Sequence, residues 1–376
     1  MTLPALLAKS LSVTGLSPGT LSLSRHVAQK FTCSRDPRAA ALQMRELIAR
    51  QHFDWIVVAD DALFRGLIES GDRAALREWF PVDPSRDDIL TFVTSKHEFA
   101  LRASEFGIPA PESRLFADLS ECLERASRVA YPIVAKGPHG FSGSEVFVAT
   151  NESELRSACE KLLPRYGKVL LQRFVSGRSA SAAVLYDHGK AAAYKAYFTE
   201  CPYPSEHSAG TVHRPLRHAS VEPIVRAIGD ATGFHGMAGI DFVLENETDQ
   251  LFAIEINPRP TSAFSGLRAD RAFFGPAIAR FLRGDGEPAE RFDAGDAPQA
   301  YFPDYAFYFL DRANKAKADS YRRLRSALGE SAGSELPIVG WATARYAYDR
   351  LGRFAPRLRG WLDSRRRAKD SSPRLD

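Results

Sequence analysis

The segment with the strongest hold on how this chain folds is GIDFVLE at 239–245, followed after a polar run, Asn246 to Gln250, by LFAIEINPR at 251–259. Two short apolar runs flanking a polar turn predict an antiparallel hairpin. Strand side chains alternate faces, so Glu255 and Asn257 share one face while Ile254 and Ile256 point into the core. Closing the hairpin near Thr248 sets Asp241 opposite Glu255. Facing like charges destabilise a sheet unless water screens them or a cation lies between them. Two carboxylates and an amide oxygen suit Mg2+, with Mn2+ as the alternative ion; a solvated polar face is the other explanation. Arg259, just beyond Asn257 and Pro258, adds a planar fork suited to phosphate or carboxylate.

Upstream, the sequence predicts strand YPIVAK (131–136), glycine loop GPHGFSG (137–143), strand EVFVA (145–149), a helix from Asn151 to Leu163 and strand VLLQRFV (169–175). Asn151 is the expected N-cap, with Glu154 three residues on. Lys136 ends a buried-looking strand immediately before a loop whose glycines Gly140 and Gly143, with Ser142, allow close backbone approach to phosphate. The loop is not a P-loop, because the Lys precedes it, and no G-x-G-x-x-G supports a dinucleotide site. Gln172, Arg173, Phe174 and Val175 close a strand, where exposed backbone and the Gln amide can meet an adenine edge; an ordinary strand terminus is the alternative. A second hairpin is expected from ASAAVLY through Asp187-His188-Gly189 to KAAAYKAYF, and a helix from Phe274 to Arg283.

The first hundred residues predict a modest α/β unit: a helix over Pro37 to Arg50, a strand WIVVA over Trp55 to Ala59, and a helix over Asp61 to Ser70. A further helix over Ser95 to Phe106 stops at Gly107, before a Pro-rich break. At 376 residues the chain suits two or three units. The expected division is an α/β unit at 1–94, a two-lobed unit at 95–285 (small lobe about 111–175, large lobe about 176–285, with helix 95–106) and an extension at 286–376. With 44% hydrophobic and 26% charged residues it is neither disordered nor membrane-spanning in type. Cys33, Cys122, Cys159 and Cys201 lie too far apart for a zinc or disulfide framework, and no signal peptide is recognisable, so a cytoplasmic protein is expected. Residues 311–376 hold sixteen Lys and Arg against eight Asp and Glu. There Trp341, Ala344, Tyr348, Leu351 and Ala355 share a helical face, a basic amphipathic pattern that admits an anionic membrane surface or a partner as well as packing on the protein itself. Nothing accompanies this charge that would favour nucleic acid.

Taken in order, Ser95-Lys96, YPIVAKGPHGFSG, VLLQRFVSG and GIDFVLE with FAIEINPR resemble the ATP-grasp superfamily, especially its carbamoyl-phosphate-synthetase-like and biotin-carboxylase-like branches. The resemblance implies an α/β and α+β architecture, a pre-ATP-grasp domain followed by two lobes that clasp ATP. It implies that Lys96 and Lys136 contact phosphates, that Gly140, Ser142 and Gly143 belong to a lid, and that Gln172 to Val175 hold adenine. Asp241, Glu255 and Asn257 would hold Mg2+, and Arg259 would steady the transferring phosphate. His207, in a loop resembling the family's nucleotide-side segment, and Arg268 are the candidate substrate residues. Where relatives place a ribose carboxylate this chain has Arg178-Ser179-Ala180, and Asp241 stands where several relatives have Gln or Glu.

The implied activity is ATP-dependent ligation: a carboxylate becomes an acyl-phosphate and an amine or similar nucleophile displaces phosphate. The resemblance also admits a homodimer. A non-catalytic ATP-binding partner protein is the alternative, and phosphoryl transfer without ligation would use the same ATP residues.

Overall fold

The computed structural model describes residues 3–8, 10–19, 24–69, 77, 79–139, 145–202, 210–264, 268–284, 290–291 and 299–300, with backbone alone at 268, 269, 290, 291, 299 and 300. The basic amphipathic tail and most of the 286–376 extension lie outside these residues.

The described chain begins with α1 (Leu3–Leu7), then pairs β1 (Thr14–Ser17) in parallel with β2 (Gln29–Thr32). Helix α2 (Pro37–Arg50) has the expected bounds, capped by Asp36, whose carboxylate accepts the Ala39 N–H. Trp55 to Ala59 forms no strand, contrary to its apolar pattern. It is held by side-chain packing instead: Ile56 and Val58 pack on the main core, and the Trp55 ring lies 5.0 Å from that of Phe281. Helix α3 (Asp61–Glu69) follows.

The helix expected over Ser95 to Phe106 is present, with its last turn in 3-10 form. Helix α4 (Asp87–Thr94) precedes it, and Ser95 both ends α4 and caps α5 (Lys96–Arg102), accepting the Glu98 N–H at 3.3 Å. A 3-10 turn, Ala103–Phe106, then ends at Gly107 in the left-handed region.

Next comes a four-stranded antiparallel sheet in the order β3 (Ser113–Phe116), β6 (Val169–Arg173), β4 (Ile133–Lys136), β5 (Val146–Ala149). One face is covered by α6 (Leu119–Ala126) and α7 (Glu152–Tyr166), which bury Ile133, Ala135, Val169 and Leu171. The alternation of β4 therefore turns Val134 and Lys136 to the opposite face. Asn151 caps α7 as expected, while Glu154 reaches the Thr150 N–H rather than that of the cap residue.

The larger sheet has the order β11 (Leu251–Asn257), β10 (Gly236–Glu245), β7 (Gly177–Asp187), β8 (Lys190–Pro202), β9 (Gly210–Pro215), β13 (Gln299–Ala300), with β12 (Glu290–Arg291) beside β8. One face packs on α4, α5 and α8 (Val221–Thr232); the other packs on α1 and α9 (Arg268–Arg283). The hairpin β10–β11 sets Asp241 opposite Glu255 as the sequence predicts, but its register shifts next to that pair. Phe242 faces Ala253, so Ile254 is the extra residue of a β-bulge and is half-buried, whereas Ile256 does enter the core. Among the described residues no helix is long and apolar enough to cross a membrane, and all four cysteines are free thiols.

Candidate active site

Cross-strand neighbours share a face, and the register of the large sheet aligns one polar row across four strands: Glu255, Asp241, Ser181 and Tyr197. Asp241 is satisfied twice, accepting from Ser181 Oγ at 2.5 Å and from Asn257 Nδ2 at 3.0 Å. Glu255, on the edge strand β11, forms an ion pair with Lys96 Nζ, carried there by α5 packing against β11. The facing carboxylates are thus relieved by a hydroxyl, an amide and an ammonium from this chain.

Gly239 lies opposite Asn257, where close approach requires a glycine: a Cβ there would stand 2.2 Å from Thr261 Cγ2 and 3.4 Å from Asn257 Cβ. The backbone that follows Asn257 therefore folds back over β10. It brings Arg259 to Asp61 of α3, with Nε 2.6 Å from Oδ1. Burial works against the guanidinium charge, but the Asp61 bond, with Asp61 and Asp241 nearby, holds its pKa above the ordinary value.

The two lysines share one environment. Lys96 N donates to the Pro138 carbonyl at 2.9 Å, and His97 Nε2 lies 3.0 Å from the Lys136 carbonyl, so the base of the glycine loop is pinned to the start of α5. Burial lowers Lys96 to about 8 despite the attraction of Asp241 and Asp61. It lowers Lys136 to about 7, aided by the positive charge of Lys96 and opposed by Asp241. Lys136 is 6% exposed and, among the described residues, has no carboxylate within ion-pairing distance. A desolvated ammonium of that kind is built to receive an anion.

Gln172 is buried, and its amide donates to Ser113 Oγ at 2.8 Å within the small sheet. Arg173 binds Glu245 Oε1 at 2.6 Å and lies over the Phe252 ring, bridging the two sheets. Val175 is buried and Phe174 half-buried. A cavity of about 320 Å³ is lined by Arg114, Arg125, Ile133, Leu171 and Gln172 among others. Its lining takes Ile133 and Leu171 from the helix-covered face of the small sheet and Gln172 from the face of Val134 and Lys136, and does not include Lys136 itself. Gly140, Ser142, Gly143 and His207 lie outside the described residues, as does the Arg268 side chain.

Tyr197, Lys195, Ser262 and Asp270 stand near the row without any signal of it in the sequence. Tyr197 is buried, which pushes its phenol up, and its ring stacks on His213 at 3.9 Å. Burial and the nearby Lys195 keep His213 well below the usual imidazole range, so it is neutral. Ser262 Oγ lies 3.4 Å from its Nε2. Beneath them Lys195 and Asp270 form a fully buried pair at 2.8 Å. Arg178 lies over the Phe198 ring and 3.7 Å from Glu200, which also binds Arg214. Only register could have revealed Ser181 and Tyr197, as the residues lying in line with Asp241 on the next two strands.

Residues 93–263 match the family model described as an ATP-grasp domain. The chain is 27% identical over 184 residues to the carbamoyl phosphate synthase large chain, C-terminal section, of Methanopyrus kandleri, covering 44% of this chain and 32% of that one. It thus spans about a third of that curated relative. Among solved structures, N5-carboxyaminoimidazole synthetase from Staphylococcus aureus, complexed with ADP, superposes with a TM-score of 0.59 at 14% identity, covering 77% of each chain. The biotin carboxylase domain of 2-oxoglutarate carboxylase from Hydrogenobacter thermophilus, in complex with MgADP, ADP and bicarbonate, gives 0.58 at 15%, covering 76% of this chain and 67% of that one.

Proposed function

Because the chain is a member of the ATP-grasp superfamily, we propose that it uses Mg-ATP to activate a substrate carboxylate as an acyl-phosphate and joins it to an amine or similar nucleophile. ADP and phosphate are the other products. The observation that carries this proposal is the meeting of two desolvated ammonium groups, Lys96 and Lys136, with the row of Asp241 and Glu255 beside Asn257 and Arg259.

The donor set fits the metal: Asp241, Glu255 and the Asn257 amide offer hard oxygens at neighbouring sheet positions. Bound there, Mg2+ would draw charge from the β- and γ-phosphate oxygens during transfer. Lys136, with no carboxylate of its own, and Lys96, once it exchanges Glu255 for phosphate, supply the remaining neutralisation. Arg259 is held by Asp61 at the mouth of the row, where a fork can orient both the donor carboxylate and the phosphoryl group. The carboxylate oxygen attacks the γ-phosphorus as ADP leaves; the nucleophile then attacks the acyl carbon, loses a proton and releases phosphate. No side-chain nucleophile is needed. The names of the similar proteins, which form carbamoyl phosphate or N5-carboxyaminoimidazole, support activation of a carboxylate-type donor for attack by nitrogen.

The test is ADP release with Mg-ATP and a panel of carboxylic acids, each offered with and without amines, comparing native protein with Glu255→Ala. A carboxylate and amine pair that stimulates ADP release only in native protein is the expected outcome. If native protein and variant behave alike with every pair, the chain is a non-catalytic ATP-grasp protein.

A further inference from the structure

The turn joining β7 to β8 lies at the far end of β7 from Ser181, about 20 Å away at the usual strand rise. Three ligand-bearing side chains meet there. Asp187 Oδ1 is 2.7 Å from His188 Nδ1 and 3.3 Å from His235 Nδ1, and the three residues place one donor atom each within 4.8 Å of one another. The two imidazole rings lie 4.1 Å apart.

The backbone fixes this meeting. His188 and Gly189 take φ of 45° and 85°, a tight turn that points the His188 side chain back across Asp187. Gly189 N donates to the Phe234 carbonyl at 2.7 Å, and His235 N donates to the Pro81 carbonyl at 2.7 Å. The turn packs so closely on α8 that a Cβ on Gly229 would stand 1.9 Å from the Gly189 carbonyl oxygen. The His235 ring rests against Phe281 of α9, 4.6 Å between centroids.

We propose that Asp187, His188 and His235 bind one divalent transition-metal ion of the zinc class, at a site separate from the nucleotide residues. Two imidazoles and a carboxylate are a zinc-class donor set rather than a magnesium one. Donors about 2.0 Å from a tetrahedral ion stand about 3.3 Å apart, so the observed separations need only small side-chain rotations to admit an ion. His188 is 81% exposed, leaving the fourth position open to water. An ion here would clamp the β7–β8 turn to the start of β10, itself tied to the N-terminal segment through Pro81 and packed on α9 through Phe281.

The experiment is a titration of the chelator-stripped full chain with Zn2+ against a chromogenic competitor, beside His188→Asn and His235→Gln, which separate zinc held at this turn from zinc held elsewhere. Asn tolerates the left-handed turn position, so His188→Asn preserves the fold; its melting temperature in zinc-free buffer is the control. Native protein is expected to take up one equivalent of Zn2+ and melt higher with it, while each variant binds at least tenfold more weakly and shows no shift. If His235→Gln does not fold, His188→Asn decides alone. Zinc uptake that is absent in native protein, or unchanged in His188→Asn, overturns the proposal. Because binding is read without nucleotide, this outcome is independent of the ligase proposal.

Discussion

Lys136 is the residue at which stability and the proposed activity oppose each other. Its unfolded pKa of 10.5 falls to about 7 on folding, through burial and the charge of Lys96. The unfolded chain therefore holds the extra proton between those values, and stability rises with pH across that window; the full penalty applies below pH 7. Lys136→Met should raise the melting temperature most at pH 6 to 7 and progressively less towards pH 9, with a gain bounded at about 5 kcal/mol. The same variant should lose the thermal shift that Mg-ATP gives native protein. Phosphate restores the proton to Lys136 and to Lys96, so ATP affinity should fall from pH 7 to 9, by at most about tenfold per unit for each group. Calorimetry in buffers of differing ionisation enthalpy would register the proton uptake, which Lys136→Met should diminish.

At the scale of elements, the hairpin β10–β11 depends on the absence of a side chain at Gly239. Gly239→Ala should displace Thr261 and the backbone beyond Asn257, costing about 1 to 3 kcal/mol by overpacking and weakening Mg-dependent ATP binding more than the fold; paired denaturation and nucleotide titration would separate the two. The pair Lys195–Asp270 joins β8 to α9 out of water, and Asp270→Ala, which removes the carboxylate paired with that buried ammonium, should cost about 3 to 5 kcal/mol in urea denaturation. These elements differ in how far the sequence disclosed them. The Asp241–Glu255 register was legible because a polar turn between two apolar runs leaves little freedom, yet strict alternation could not reveal the bulge at Ile254. WIVVA read as a strand because apolar runs look alike whether they pair or merely pack, whereas the helix start at Ser95 was legible to within a residue, the hydroxyl standing as its cap. Asp270 and Lys195 stand 75 residues apart, so their pairing is written only in the packing of α9 on β8.

Across the whole molecule, the N-terminal segment supplies a group to the proposed catalytic row, since Asp61 holds Arg259 over a separation of 198 residues. Asp61→Asn should lower kcat while leaving ATP affinity near native, because the guanidinium keeps its charge but loses its anchor; steady-state kinetics beside equilibrium nucleotide binding would test that split. The contact between Lys96 and Glu255 reaches further, into the order in which ligands arrive. A free divalent ion approaching β11 meets a carboxylate already matched by an ammonium, and gains little by displacing it. Nucleotide carrying its own metal offers an exchange in which phosphate takes the lysine as the metal takes the glutamate, so each charge trades one partner for another. Metal should therefore enter and leave as a passenger of the nucleotide, and in the absence of ATP the protein should draw almost nothing from a millimolar magnesium pool.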